Sequence, residues 1–195
     1  MASRRSQTEK ARKKPEDRLD VFPAFMKVAG RRVVVVGHGG EAAAKVRLLG
    51  ETNAEIVVVG QEIDHELQSA VDLFSATHIA EDFKPRHLTD AAMVFSARED
   101  WDLDKAVIDA ARIIGVPANA VDKPEICDFY TGALVNRAPI AVAITSTGVG
   151  PVLARHIRAR IEGKETSVNI IVRPIELDNE TSDYLLVVFD EDRKI

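Results

Sequence analysis

Two apolar runs, Arg32–Val36 and Glu55–Val59, contain only valine and isoleucine after their first residue. Continuous runs of this kind predict strands that are buried on both faces, as in a parallel sheet. Residues 41–49 lie between the runs and place apolar or small side chains at helical spacing. The pattern therefore predicts a strand, a glycine-rich turn, a helix and a second strand, which together form a βαβ unit.

The alternation of apolar runs and amphipathic segments continues to residue 121. Strands are predicted at Thr77–Ile79, Ala91–Ser96 and Val116–Val121, and helices at Ile63–Leu73 and Asp102–Ile114. We expect the last helix to bury one side, formed by Leu103, Val107, Ala110, Ala111 and Ile114. The simplest architecture for this order is an α/β fold with a Rossmann-type, doubly wound parallel sheet.

The pattern changes after residue 122. A strand is predicted at Ile140–Ile144, followed by a turn at 145–150 and a helix from Pro151 to about residue 162. Two extended segments, Val168–Arg173 and Tyr184–Phe189, flank a polar turn. The predicted organisation is a tail at 1–20, a Rossmann domain at 21–123, a small dimerisation and substrate segment at 124–163, and a β hairpin at 164–195.

Composition narrows the class of protein. The chain has 195 residues, of which 46% are hydrophobic and 29% charged, so it can build a core and is not wholly disordered. The single cysteine, Cys127, excludes an internal disulfide framework and a cysteine-built zinc site. No apolar run reaches the ~18 residues of a membrane span, and residues 1–18 lack the apolar core of a secretory signal. The sequence predicts a protein of the reducing cytoplasm without a membrane partner.

The net charge of −5 is unevenly distributed. Residues 1–18 hold seven basic and three acidic side chains and almost no apolar ones, so this tail is expected to be disordered. It is either a solvated extension or an arm that binds polyanions. The rest of the chain is more acidic than the whole, and no nucleic-acid partner is expected.

The first predicted strand ends in a turn that matches the dinucleotide-binding pattern G-x-G-x-x-A. In such a turn the first glycine permits the tight bend, and the second lets a pyrophosphate approach the backbone at the helix start. The alternative is a purely structural glycine turn. The candidate cofactor-binding residues here are Gly37, His38, Gly39, Gly40 and Glu41.

The end of the second strand is expected to contact the cofactor ribose. Gln61 and Glu62 follow Gly60 there, and no basic residue stands at this position. A carboxylate favours the free ribose of NAD, whereas an arginine favours the phosphate of NADP, so NAD is the predicted cofactor. Glu62 is alternatively an ordinary surface charge at a helix start. No second histidine or cysteine lies at ligand spacing from His38, so no resident metal is predicted.

Three blocks of sequence resemble the N-terminal module of siroheme synthases, the precorrin-2 dehydrogenase/sirohydrochlorin ferrochelatase family. Residues 22–49 contain a Phe-Pro lead-in, four valines, the glycine turn and Lys-Val-Arg-Leu-Leu. Residues 119–129 begin with Asn-Ala-Val-Asp, and residues 151–158 begin with Pro-Val-Leu-Ala-Arg. The blocks occur in the order and at the spacing of the family, and the resemblance covers residues 22–163.

The resemblance implies an NAD-dependent dehydrogenase that converts precorrin-2 into sirohydrochlorin, and in some members also inserts Fe²⁺ to give siroheme. The family's acid/base aspartate falls on Asp122, for which the alternative is a turn-forming aspartate before Pro124. The tetrapyrrole carries many carboxylates, so Asn119, Arg137, Ser146 and Arg155 are candidate substrate-binding residues. The family also implies a homodimer built by residues 124–162.

The sequence departs from the family at several positions. Where the family often has Thr-Asp-Asp after the fourth strand, this sequence has Ala97-Arg98-Glu99-Asp100, which places an arginine near the cofactor, and a family serine is replaced by Gly150. The predicted hairpin after residue 163 stands where the family has helices. A second hypothesis is therefore a non-catalytic NAD-binding regulatory homodimer that lacks the helical substrate lobe. A third, an unrelated Rossmann oxidoreductase, is disfavoured by the blocks at Asp122 and Pro151.

Overall fold

The computed structural model describes residues 19–145 completely and residues 168–177 and 180–191 as backbone. These ranges contain nine strands, three α-helices and two short 3-10 turns. In chain order the elements are β1 (Arg32–Gly37), α1 (Gly39–Leu49), β2 (Glu55–Val59), α2 (His65–Leu73), β3 (Thr77–Ile79), a 3-10 turn (Pro85–Leu88), β4 (Ala91–Ala97), α3 (Trp101–Ile113), β5 (Ala118–Ala120), a 3-10 turn (Pro124–Ile126), β6 (Ala133–Arg137), β7 (Ile140–Ile144), β8 (Val168–Leu177) and β9 (Glu180–Glu191).

The first five strands form a parallel sheet in the order β3-β2-β1-β4-β5. Strand β1 is central, and its valines alternate between the two faces. Val33 and Val35 pack in the cluster that includes α1 and α2, whereas Val34 and Val36 pack in the cluster that includes α3. Helices on both faces explain the unbroken apolar run, because neither face of β1 meets water. The predicted α/β, Rossmann-type fold is confirmed.

Capping side chains determine where two of the helices begin. Asp64 caps α2, since its Oδ1 accepts a hydrogen bond from the Leu67 N–H at 2.8 Å. Asp100 caps α3 in the same way through the Leu103 N–H at 2.9 Å. Each cap adds a hydrogen bond that the first helical turn otherwise lacks. Helix α2 therefore begins at residue 65, two residues later than the sequence pattern predicts.

The buried side of α3 differs from the expected one. Val107 and Ala111 are buried as predicted, but Leu103 and Ile114 are 44% and 51% exposed. Ile108 and Asp104 are buried instead. The apolar periodicity misses this side because Asp104 is a charged residue, and its burial depends on partners in other segments.

The segments after β5 form antiparallel ribbons. Strand β7 pairs with β6, which the sequence analysis did not predict, and β8 pairs with β9. Residues 180–183, which the sequence places in a polar turn, belong to β9. The predicted tail at 1–18, the turn at 146–150 with Ser146, and the helix from Pro151 with Arg155 lie outside the described residues. Among the helices in the described ranges, none is long and apolar enough to cross a membrane.

Candidate cofactor and acid/base site

The glycine turn between β1 and α1 has the geometry of a phosphate cradle. Gly37 has a φ of 144°, and a Cβ built there would lie 2.1 Å from the Ala97 carbonyl oxygen on β4. Gly39, at a φ of 72°, begins α1. The N-cap residue His38 makes no side-chain hydrogen bond to the helix. The first N–H groups of α1 are therefore left without a side-chain cap, as a bound pyrophosphate requires.

A cavity of about 470 Å³ lies beside this turn, at the carboxyl ends of β1 and β2. It contains four predicted cofactor residues, Gly37, His38, Gln61 and Glu62. The complete lining is Gly37, His38, Val59, Gly60, Gln61, Glu62, Ile63, Asp64, Asp82 and Arg98. Gly39, Gly40 and Glu41, also predicted, are not part of this lining. The residues present fit a dinucleotide whose adenosine half lies over β2 and whose pyrophosphate crosses the glycine turn.

Two carboxylates lie close to the start of α1. A Cβ at Gly39 would lie 3.6 Å from Glu99 Oε1, and a Cβ at Gly40 would lie 3.2 Å from Glu66 Oε2. Glu66 is paired with Arg47 on α1, with 2.9 Å between Oε1 and Nη1. A phosphate that approaches this turn therefore meets negative charge on the side of Glu99, and Glu66 is already neutralised by its partner.

Asp122 follows β5 and is exposed, with a left-handed backbone at a φ of 57°. The Val121 N–H donates to the Ser96 carbonyl oxygen at 2.9 Å, and the Lys123 N–H donates to the Ala120 carbonyl oxygen at 3.3 Å. These bonds attach the residues on both sides of Asp122 to the carboxyl ends of β4 and β5. The predicted acid/base residue therefore lies at the edge of the sheet where ligands of α/β proteins bind.

Glu41 and Lys45, one helical turn apart on α1, complete the surroundings of Asp122. The Glu41 carboxyl lies beside Asp122, and burial together with the charges of Asp122 and Glu99 raises its pKa. Burial lowers the pKa of Lys45, and the charges of Asp122 and Glu41 oppose this. Lys45 Nζ lies 3.5 Å from Thr131 Oγ1 and 5.8 Å from the centre of the Phe95 ring. Asp122 is exposed and Glu41 is half-buried, so Asp122 is the carboxylate that a ligand can reach as a proton acceptor.

Replacing Glu41 with glutamine is expected to raise the melting temperature at neutral pH. Folding raises the Glu41 pKa above its usual value of 4.5, so the unfolded chain releases this proton first as the pH rises. The wild type therefore loses stability between 4.5 and the higher folded pKa, and the deficit persists above it. Thermal unfolding between about pH 3 and pH 8 measures this difference. A gap between the two proteins that does not change as the pH rises above 4.5 would contradict the assignment.

A buried network that the sequence analysis missed supports the same edge of the sheet. Asp104 is 1% exposed and accepts hydrogen bonds from Ser96 Oγ at 2.6 Å, from the Arg98 N–H at 3.2 Å and from Lys123 Nζ at 2.5 Å. The bond to Asp104 raises the pKa of Lys123. The network ties α3 to the ends of β4 and β5, and thereby to the residues beside Asp122.

The remaining predicted substrate residues are separated by the structure. Asn119 is 6% exposed, and its Nδ2 donates to the Phe129 carbonyl oxygen at 2.8 Å. Arg137 is exposed at the end of β6, where Nη1 donates to the Asn136 carbonyl oxygen at 3.2 Å. Within residues 19–145, no group of three or more histidine, cysteine or carboxylate side chains is placed to hold a metal ion.

The sheet order, the glycine turn and the cavity across β2 define a Rossmann-type dinucleotide-binding domain. The chain belongs to the family described as "Putative NAD(P)-binding", whose sequence profile matches residues 24–133. The expectation of a nicotinamide dinucleotide cofactor is thereby confirmed.

The chain is also similar to siroheme synthases. It is 41% identical over 145 residues to one from Nitrosomonas europaea, a match that covers 74% of this chain and 30% of that protein. It is 37% identical over 144 residues to one from Psychrobacter cryohalolentis, covering 74% of this chain and 28% of that protein. The chain thus spans about 30% of the length of the curated relatives it matches. The predicted resemblance to their N-terminal module is confirmed.

A solved structure titled "SirC, precorrin-2 dehydrogenase" has a similar fold. The TM-score is 0.65 at 19% sequence identity, and the match covers 74% of this chain and 71% of that one. At this identity the comparison supports the Rossmann-type architecture alone.

Proposed function

We propose that this chain is an NAD⁺-dependent dehydrogenase that oxidises precorrin-2 to sirohydrochlorin in the cytoplasm. The observation that carries the proposal is the position of Asp122, an exposed carboxylate after β5 that lies beside Glu41 of the cofactor-binding helix. The names of the sequence relatives, siroheme synthases, and of the solved structure, a precorrin-2 dehydrogenase, support the same substrate class.

The reaction removes a hydride and a proton from the tetrapyrrole. Bound NAD⁺ supplies the hydride acceptor. Asp122 accepts the proton at a carboxylate oxygen, as a general base beside the reacting carbon. Glu41 lies beside Asp122, and Lys45 adds a positive charge close to both carboxyl groups. Together these residues surround the base while the proton moves from the substrate.

The substrate's carboxylates require positive charge and hydrogen-bond donors. Arg137 is exposed on the β6–β7 ribbon and fits this role, and we assign the same role to Ser146 and Arg155 on the strength of the family resemblance. Asn119 already donates to a backbone carbonyl, so its contribution is to shape the wall of the site beside Asp122.

The proposed enzyme is a homodimer built by residues 124–162. In the described part of the chain, β7 pairs with no strand other than β6, and its first residue, Ile140, is 66% exposed. A two-stranded ribbon is marginally stable in water on its own. A second copy of the ribbon would cover this apolar surface.

Insertion of Fe²⁺ into sirohydrochlorin is a second activity that we propose for the same residue. The metal is a substrate in this step, and its entry displaces two protons from pyrrole nitrogens. Asp122 is the exposed carboxylate at the proposed tetrapyrrole site, and it can accept these protons in turn. Incubating sirohydrochlorin with Fe²⁺ in the absence of NAD⁺ separates this activity from dehydrogenation.

Replacing Asp122 with asparagine is expected to lower the rate of sirohydrochlorin formation at least about 100-fold, because the amide cannot accept the substrate proton. NAD⁺ affinity is expected to stay within about twofold, since Asp122 does not line the cofactor cavity. The assay follows sirohydrochlorin absorbance after precorrin-2 and NAD⁺ are mixed with the protein.

The matched control is Asp90→Asn, which removes one exposed carboxylate with the same left-handed backbone, at a φ of 58°, just before the opposite end of β4. It is expected to leave the rate unchanged. A wild-type protein that binds NAD⁺ but turns over no precorrin-2 would refute the dehydrogenase and favour a non-catalytic NAD-binding homodimer. Full activity of Asp122→Asn would be consistent with the dehydrogenase but would refute the role of Asp122 as its general base.

A further inference from the structure

Arg98 is fixed at the cofactor site by its backbone. It follows β4 directly, and its N–H donates to the buried Asp104 at 3.2 Å. The residue before it, Ala97, accepts a hydrogen bond from the His38 N–H at 3.4 Å and contacts Gly37 so closely that no Cβ fits between them. The backbone of Arg98 is therefore held next to the glycine turn.

Arg98 is one of the residues that line the cofactor cavity, together with Gln61 and Glu62. Across residues 19–145 its guanidinium forms no ion pair and no hydrogen bond with another side chain or carbonyl group. Two nearby cations are already engaged, because Arg47 pairs with Glu66 and Lys123 pairs with Asp104. Arg98 thus brings a positive charge without a protein partner into the cavity.

Most of the charged side chains around the cavity are acidic, which would disfavour an anionic ligand unless a cation offsets them. Apart from Arg98, the ionisable residues of the lining are His38 and three carboxylates, those of Glu62, Asp64 and Asp82. Glu99 lies close to Gly39 as well. A dinucleotide pyrophosphate carries two negative charges, so it would meet mainly negative side chains at this turn without Arg98.

We propose that Arg98 binds the pyrophosphate of the nicotinamide dinucleotide. The planar guanidinium can donate two parallel hydrogen bonds to phosphate oxygens, and it offsets the carboxylates that surround them. The inference rests on the cofactor half of the proposed function and not on the precorrin-2 reaction. The sequence has no basic residue after β2 to contact the cofactor. The structure instead places a basic residue, Arg98, at the same cavity from the end of β4.

Replacing Arg98 with glutamine is expected to weaken NAD⁺ binding about 10- to 100-fold, the usual effect of losing charge-assisted hydrogen bonds. Isothermal titration of the full chain with NAD⁺, NADP⁺ and ADP-ribose measures this without any turnover. All three ligands contain the pyrophosphate, so all three are expected to lose affinity by a similar factor. The dependence of NAD⁺ affinity on salt concentration is expected to become shallower in the variant.

Two further variants complete the test. Arg98→Lys keeps the charge without the planar fork and is expected to recover part of the lost affinity. Arg31→Gln removes one exposed arginine just before the opposite end of β1 and is expected to leave all three affinities unchanged. Unchanged NAD⁺ binding in Arg98→Gln would overturn the proposal. A loss confined to NADP⁺ would also overturn it, because Arg98 would then contact the 2′-phosphate. All of these outcomes are measured by binding alone, so they can be interpreted even if the protein does not oxidise precorrin-2.

Discussion

Replacing Asp104 with alanine is expected to lower the free energy of unfolding by about 3–5 kcal/mol, the usual cost of removing one partner of a buried ion pair. The Asp104 side chain is 1% exposed and that of Lys123 is 17% exposed, so the variant leaves the Lys123 ammonium group largely buried without its counter-charge. Ser96 Oγ and the Arg98 N–H lose an acceptor at the same time. Urea unfolding followed by circular dichroism measures the change.

The matched control for Asp104 lies on the same helix. Asp109 pairs with Lys105 at 2.5 Å, but both side chains are about half exposed. Asp109→Ala is therefore expected to cost less than about 1 kcal/mol. A double variant with Asp104→Leu and Lys123→Met is expected to regain much of the lost stability, because no buried charge is then left unpaired. Equal losses for Asp104→Ala and Asp109→Ala would contradict the assigned burial.

Replacing Gly37 with alanine is expected to cost about 3 kcal/mol and to abolish measurable NAD⁺ binding. The new methyl group would lie 2.1 Å from the Ala97 carbonyl oxygen, which is backbone in the centre of the sheet and cannot rotate away. The φ of 144° adds strain for any residue with a side chain. Relief of the clash forces β1 and β4 apart at their carboxyl ends. Thermal unfolding and NAD⁺ titration measure both effects.

Gly115→Ala separates the clash from the backbone strain. Gly115 also has a positive φ, at 73°, but nothing lies within 4 Å of a Cβ built there. Alanine at this position is expected to cost only about 1 kcal/mol and to leave NAD⁺ binding intact. A similar cost at both glycines would mean that backbone strain alone accounts for the Gly37 effect.

The core of the fold could be predicted from the sequence because its signal is local. The valines of β1 are apolar at every position, and only a strand covered on both faces explains that pattern. Strand β6 could not be predicted in this way, because its residues Ala133–Arg137 are mixed in polarity. Its extended conformation depends on hydrogen bonds to β7. Helix starts were displaced where a single aspartate, such as Asp64, decides the first turn.

The residues of the candidate site also differ in whether a local sequence pattern could reveal them. The glycine turn and Asp122 could be found, because a short motif and a family resemblance place them. Asp104 looks like an exposed helix residue in the sequence, and only Lys123 and the end of β4 make it buried. The sequence predicts Arg98 near the cofactor, but its place in the lining of a cavity that also contacts β2 depends on the strand order. Contacts between distant segments leave no periodic trace in one sequence.

Cys127 gives the loop that carries Asp122 a chemical reporter. Its Sγ accepts a hydrogen bond from the Ala120 N–H at 3.2 Å, and its single S–H can donate to the carbonyl oxygen of either Ala120 or Lys123, at 3.1 and 3.2 Å. Burial raises the pKa of this thiol, so little thiolate is present at neutral pH. Alkylation by a small electrophile is therefore expected to be slower than that of a fully exposed thiol. Because the chain contains one cysteine, the alkylation rate reports on the surroundings of that loop alone, and a ligand that contacts Asp122 and covers the loop is expected to lower it.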